Sequence, residues 1–314
     1  MTSFGDQLVA QGYLAGWSVV RRMPERTAYA TFEGIADTLW RRRGTGVRRL
    51  ESNLERVLGG DVPERALREV SRDGMLSYLR YWCDAFRLPS WSRERVVSRF
   101  RAVDEHRLAD ALALEQGVVA VLPHMGNWDH AGAWACVAHA PLTTVAERLK
   151  PESLFDRFVA YREGLGMEVL PLGGEDVVPT LARRLRAGGL VCLLGDRDLT
   201  RGGVEVDFFG ARAKMPAGPA LLAQSTGAAL LPAILWYDGP LAFARIHPEI
   251  PVPDLGSREE RVAAMTQQVA DVFAAGIATH PEDWHMLQRL WLSDLDPGRD
   301  PGRDPDEDPA RAAP

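Results

Sequence analysis

A histidine and an aspartate five residues apart lie in the run Pro123-His124-Met125-Gly126-Asn127-Trp128-Asp129. An imidazole that takes a proton from a hydroxyl works best beside a carboxylate, which fixes its tautomer and stabilises the imidazolium. On one continuous helix the two side chains would point about 140° apart and pair poorly. If His124 precedes the helix and Asp129 lies in its first turn, the chain can bring carboxylate to ring. The spacing therefore predicts a general base, His124 held by Asp129. Asn127 is the expected helix cap and a candidate substrate-binding residue, and free backbone N–H groups at the helix start favour a nearby anionic oxygen. A histidine merely satisfied by a capping carboxylate would use the same residues.

The flanking pattern says where this turn stands. Val118-Val119-Ala120-Val121-Leu122 is a short β-branched run ending at Pro123, as expected of a strand buried on both faces. Trp128–His139 reads as a helix. Thr143–Ala146, Glu168–Leu172, Leu190–Leu194 and Ala228–Tyr237 read as further strands. Helices are expected over Ser153–Leu165, Val177–Arg186 and Arg258–Thr279. Such alternation implies right-handed crossovers and an α/β fold, a mainly parallel central sheet with helices on both faces. In these sheets ligands bind at the carboxyl ends of strands, where His124 falls. Before Gly117 only helices are expected, over Phe4–Met23, Val62–Phe86 and Trp91–Leu114. The expected division is a helical, basic, membrane-facing region (1–116), an α/β core packed with it as one unit (117–295), and a disordered acidic tail (296–314) that repeats Pro-Gly-Arg-Asp-Pro.

The net charge of −6 conceals a positive amino-terminal third on an acidic body, and Lys150 and Lys214 are the only lysines. Such a surface faces anions, lipid head groups or nucleic acid, or is simply a solvated helical face. In the first helix Gln7, Gln11, Ser18 and Arg22 trace a polar stripe opposite Val9, Tyr13, Trp17 and Val20. That helix either lies on a membrane with Trp17 as an aromatic anchor or is buried in the core. No stretch approaches the ~18 apolar residues of a spanning helix, and no export signal is legible. Three scattered cysteines without a CxxC pair exclude a disulfide framework and a zinc ribbon.

Set beside Thr144–Pro151, Asp196-Arg197-Asp198-Leu199-Thr200, Val206–Gly210, Met215–Ala220 and Pro281–Met286, the H-x4-D run resembles the lysophospholipid acyltransferase superfamily. The resemblance covers residues 5 to 293. It is nearest to the branch of lipid A late acyltransferases, and within it to the actinobacterial phosphatidylinositol mannoside acyltransferases. It implies an enzyme that moves a fatty acyl chain, palmitoyl in expectation, from acyl-CoA to a sugar hydroxyl of a glycolipid. His124 would deprotonate that hydroxyl without a covalent enzyme intermediate, and the absence of a G-x-S-x-G elbow speaks against a serine hydrolase.

The resemblance also implies a second carboxylate where the mannoside branch carries glutamate before Arg-Asp-Leu. Here Asp196 stands there, one methylene shorter, with Asp198 as its rival. Arg148, Arg162, Arg197, Arg201 and Gly202 fit the phosphates of CoA or of the acceptor. Glu147 fits sugar hydroxyls, and Phe208, Phe209 and Met215-Pro216 fit walls for an acyl chain. No cofactor, metal or nucleic-acid partner is expected. The expected state is a monomer on the cytoplasmic face of the cell membrane. Two other readings remain: a metal hydrolase using His124, Asp129 and His130, and a membrane-binding module without catalysis.

Overall fold

The computed structural model describes residues 16–148, 152–198 and 202–294. After helical residues 16–22 (α1), the amino-terminal third folds as α2 (Glu25–Arg42), α3 (Thr45–Val57), α4 (Glu64–Arg87) and α5 (Arg93–Ser98). Ala28, Phe32, Leu50, Leu54, Met75 and Leu79 form the core between α2, α3 and α4. Trp17 turns inward: it is buried, donates its indole N–H to the Phe86 carbonyl at 2.9 Å, and packs on Phe86, Phe158 and Tyr161. At this residue the core, not a membrane, takes the aromatic side chain. The first fifteen residues lie outside the described ones.

The expected helix over Trp91–Leu114 is instead α5, a strand β1 (Phe100–Val103) and α6 (His106–Ala113). Asp104 breaks the helix with a left-handed backbone (φ 57°), and Phe100 stacks on Trp134 at 4.8 Å. The remaining elements alternate as expected: β2 (Val118–Leu122), α7 (Trp128–Ala138), β3 (Leu142–Ala146), α8 (Glu152–Gly164), β4 (Met167–Pro171), α9 (Val177–Arg186) and β5 (Leu190–Leu194). A hairpin follows, β6 (Val204–Phe208) and β7 (Ala211–Met215), then α10 (Gly218–Thr226), β8 (Ala229–Asp238), β9 (Leu241–Ile246) and α11 (Arg258–Thr279).

Seven strands make one sheet in the order β1-β9-β8-β2-β5-β3-β4, parallel except where β8 meets β9. Its apolar strands are covered on both faces. One face packs on α9, α10, α11 and the segment from Trp284 to Trp291; the other packs on α5, α6, α7 and α8. The hairpin β6–β7 stands apart as its own two-stranded sheet.

Much of the amino-terminal arginine excess is used internally. Arg95 and Arg99 pair with Glu25, Arg72 with Asp37, Arg43 and Arg68 with the buried Glu51, and Arg56 with Asp294. The positive charge of this third therefore fastens helices as well as facing solvent.

Candidate active site

Strand order decides what meets His124. β2 and β5 are parallel neighbours with Leu122 opposite Leu194, and Gly195 N–H donates to the Leu122 carbonyl at 2.8 Å. Two residues beyond this register, His124 lies opposite Asp196. The imidazole Nδ1 is 2.6 Å from Asp196 Oδ1, and the His124 backbone N–H donates to Oδ2 at 2.9 Å. The Trp284 indole N–H donates to the same Oδ2 at 3.0 Å. Asp196 is fully buried, which pushes its carboxyl up, but the charge on His124 and the donors around it outweigh burial and hold it below the ordinary range. An ionised Asp196 only accepts, so Nδ1 carries a proton, and in the neutral ring Nε2 carries the lone pair. The ring is 36% exposed. This is the arrangement of a general base.

Asp129 does not reach the imidazole. Its Oδ1 accepts from Arg162 Nε at 2.8 Å and its Oδ2 from the Tyr81 hydroxyl at 2.9 Å, in a fully enclosed setting. The cause is the turn. Gly126 adopts φ 57°, and a Cβ there would lie 2.8–2.9 Å from the Leu235 and Trp236 backbone. The helix therefore starts with Trp128 edge-on to the His124 ring, centroids 5.7 Å apart, while Asp129 faces α4 and α8. Gly126→Ala is expected to destabilise the fold by at least about 1 kcal/mol from the left-handed backbone alone, and by more once β8 shifts. Urea unfolding checks this.

The other expected site residues disperse. Asn127 is buried and caps α7 by accepting from His130 N–H at 2.9 Å, so it serves the fold and not a ligand. Arg162 is turned inward on Asp129, not held as a free anion-binding fork. Arg148 and Glu147 are exposed past the end of β3, with Arg148 paired to Glu152 at 2.7 Å. Arg197 and Asp198 follow Asp196 and are half-buried; Asp198 N–H donates to the Lys214 carbonyl. Gly202 is exposed at a turn, and Arg201 lies outside the described residues.

Phe208 and Met215 are fully buried in the core, Phe208 within 6.0 Å of Trp284 and 5.6 Å of Trp291. Phe209 forms the hairpin turn at φ 49°, half-buried against the same two rings. These aromatics close the sheet face opposite to the apolar cavity, so they do not wall it. That cavity lies between α7 and the sheet and has a volume of about 90 Å³. Leu122, Trp128, Ala135, Val145, Cys192 and Leu194 are among its walls, with Asp129 and Arg162 the charged groups on it. His130 bonds the Val96 carbonyl through Nε2 at 2.8 Å, so His124, Asp129 and His130 do not converge on a metal.

Sequence reasoning assigned no role to Trp284 or His285, though the stretch holding them was part of the motif series. His285 N–H donates to the His124 carbonyl at 2.8 Å, and its Nε2 bonds Ser77 Oγ at 2.9 Å. Ser77 donates in turn to Asp283, which fixes the proton of His285 on Nε2. Burial and the neighbouring His124 push His285 down to about 3. Unfolded, it binds a proton near 6.5, so stability falls as the pH drops from 6.5 towards 3, by up to about 1.4 kcal/mol per unit. Burial pushes Asp283 up to about 6, and it acts in the opposite sense between pH 6 and 3.8. His285→Gln is expected to narrow the difference between urea midpoints at pH 7 and pH 5. An unchanged difference would count against a buried neutral imidazole.

A mainly parallel α/β sheet with a histidine–aspartate pair at its carboxyl edge places a group fit for proton transfer where such sheets bind ligands. The chain matches the bacterial lipid A biosynthesis acyltransferase family over residues 7–293 and belongs to that family; it is an acyltransferase. It is 48% identical to a phosphatidylinositol mannoside acyltransferase of Mycolicibacterium smegmatis over 300 residues, 94% of this chain and 95% of the relative. A protein of the same name from Mycobacterium tuberculosis is 48% identical over 292 residues, 91% of this chain and 90% of the relative.

Proposed function

We propose that this protein transfers a palmitoyl group from acyl-CoA to a mannose hydroxyl of a phosphatidylinositol mannoside, at the cytoplasmic face of the membrane. The observation that carries the reading is the His124–Asp196 pair at the carboxyl edge of the sheet, where Trp128 meets the His124 ring with one side and lines the apolar cavity with the other. His124 Nε2 takes the proton of the acceptor hydroxyl as its oxygen bonds to the thioester carbonyl carbon. The carbon–sulfur bond then breaks, and the leaving thiolate takes the proton from the imidazolium. The step as written needs neither a metal nor a covalent enzyme intermediate.

The acceptor class rests on the relatives, which carry that name over nearly their whole length. The donor reading rests on the cavity, where each buried methylene contributes roughly 0.8 kcal/mol. Arg148 and Arg197 lie past the ends of β3 and β5, on the rim that carries His124, and there would meet the CoA phosphates. Among the described residues no helix is long and apolar enough to cross a membrane. Exposed Arg21 and Arg22 supply positive charge for anionic head groups, in keeping with peripheral attachment of a monomer.

Purified protein incubated with radiolabelled palmitoyl-CoA is expected to label a mannosylated phosphatidylinositol lipid, and to do so equally after exhaustive chelation. Label in a glucosamine lipid instead would move the acceptor to that of lipid A enzymes. Label only in free fatty acid would make the protein a thioesterase.

A further inference from the structure

We infer that Trp284 is a positioning residue for the catalytic pair, acting through its indole N–H. The inference rests on the reading of His124 as the base. Asp196 sits at the end of β5 with no solvent contact, so its two oxygens depend on donors from the protein. Left to itself, the carboxylate could turn about its terminal torsion and present either oxygen, or an edge, to the imidazole. Two donors on Oδ2, from the His124 backbone and from Trp284, remove that freedom. They leave Oδ1 alone to face Nδ1, at 2.6 Å.

The indole is itself held by the turn it serves. Trp284 forms a β-bridge with Met125. On either side of it, Gly126 N–H donates to the Asp283 carbonyl at 2.9 Å and His285 N–H donates to the His124 carbonyl. Its ring is fully buried and meets Phe208 and Phe209 edge-on and tilted, centroids 6.0 and 6.4 Å away. A strap from the carboxyl-terminal end of the chain thus grips the His124 turn by backbone and the Asp196 carboxylate by side chain. The strap is anchored in the helical third, because Asp283 accepts from Ser77 on α4.

The rival explanation is packing, since Trp284 is among the largest fully buried side chains. The two separate on the N–H. Losing a donor from Asp196 leaves more negative charge on the carboxylate, which strengthens its hold on the imidazolium and raises the pKa of the base. It also frees the carboxylate to turn, which lowers the fraction of correctly posed imidazole.

The test compares wild-type full-length protein with Trp284→Phe and with a variant carrying a benzothiophene analogue of tryptophan at 284, whose sulfur replaces the N–H at nearly the same volume. Acyl transfer from radiolabelled palmitoyl-CoA to a mannosylated lipid is followed across pH. Both variants are expected to lose about tenfold to a hundredfold in kcat, the worth of one hydrogen bond to a charged group. KM for palmitoyl-CoA is expected to stay unchanged, and the acid limb of kcat/KM to move up by about half a pH unit or more. Wild-type kcat and an unmoved acid limb in the benzothiophene variant would overturn the proposal, even if Trp284→Phe fails to fold. His124→Ala in the same assay separates the two ideas: if it stays active, the base assignment fails, and if it is dead while the analogue is normal, only the role of Trp284 falls.

Discussion

Asp196→Asn is expected to fold normally and to lose acyl transfer as thoroughly as His124→Ala does, by about 10²- to 10⁴-fold in kcat. The argument is one of donors and acceptors. Two N–H groups, from His124 and Trp284, converge on Oδ2. An asparagine must therefore put its oxygen there and its NH₂ where Oδ1 now faces Nδ1. An amide that donates to Nδ1 forces the imidazole proton onto Nε2, and the ring can no longer accept a hydroxyl proton. His124→Ala removes the same lone pair directly. That ring is partly exposed, so its truncation leaves little buried cavity and the fold should persist. Steady-state kcat, with near-UV circular dichroism as the control for packing, checks both variants. A well-folded Asp196→Asn with native activity would place the base elsewhere.

Arg162→Ala carries the largest expected effect on stability. The guanidinium is 16% exposed and its partner Asp129 is 2% exposed, so both charges have left water. Removing Arg162 strands the Asp129 carboxylate with one donor, Tyr81. Breaking a buried pair from one side costs about 3–5 kcal/mol, most of it the penalty of the uncompensated charge. Asp129→Asn in the Arg162→Ala background should recover a good part of that loss, because the remaining group is neutral. Urea unfolding of the two single variants and the double variant gives the coupling energy. Additive losses would mean that the two residues contribute separately. Activity should fall as well, since Tyr81 stacks on Trp128 at 4.0 Å and Trp128 abuts His124.

The same two residues show how far local pattern carries. The β-branched runs that became β2, β3, β4, β5 and most of β8 were legible because strands buried on both faces are apolar throughout, wherever their partners lie. The position of His124 was legible, since a histidine between such a strand and a helix falls at the carboxyl edge of the sheet. β1 was not: Phe100–Val103 is short, follows a helix, and earns its strand geometry only by pairing with β9, some 140 residues on. The hairpin β6–β7 and β9 were likewise unassigned from pattern.

What the amino-acid sequence determined by itself was the chemistry available: an imidazole at a strand end, a helix cap beside it, carboxylates at three candidate positions, and apolar strands enough to bury a core. Only the tertiary structure decided the pairing. Asp129 is five residues from His124 yet faces α8, because the left-handed turn at Gly126 aims the first turn of α7 away from the ring. Asp196 is 72 residues away yet lies against the ring, because β5 sits beside β2 with Leu194 level with Leu122. Spacing along a chain sets contacts only within one element; between elements, strand order and register set them.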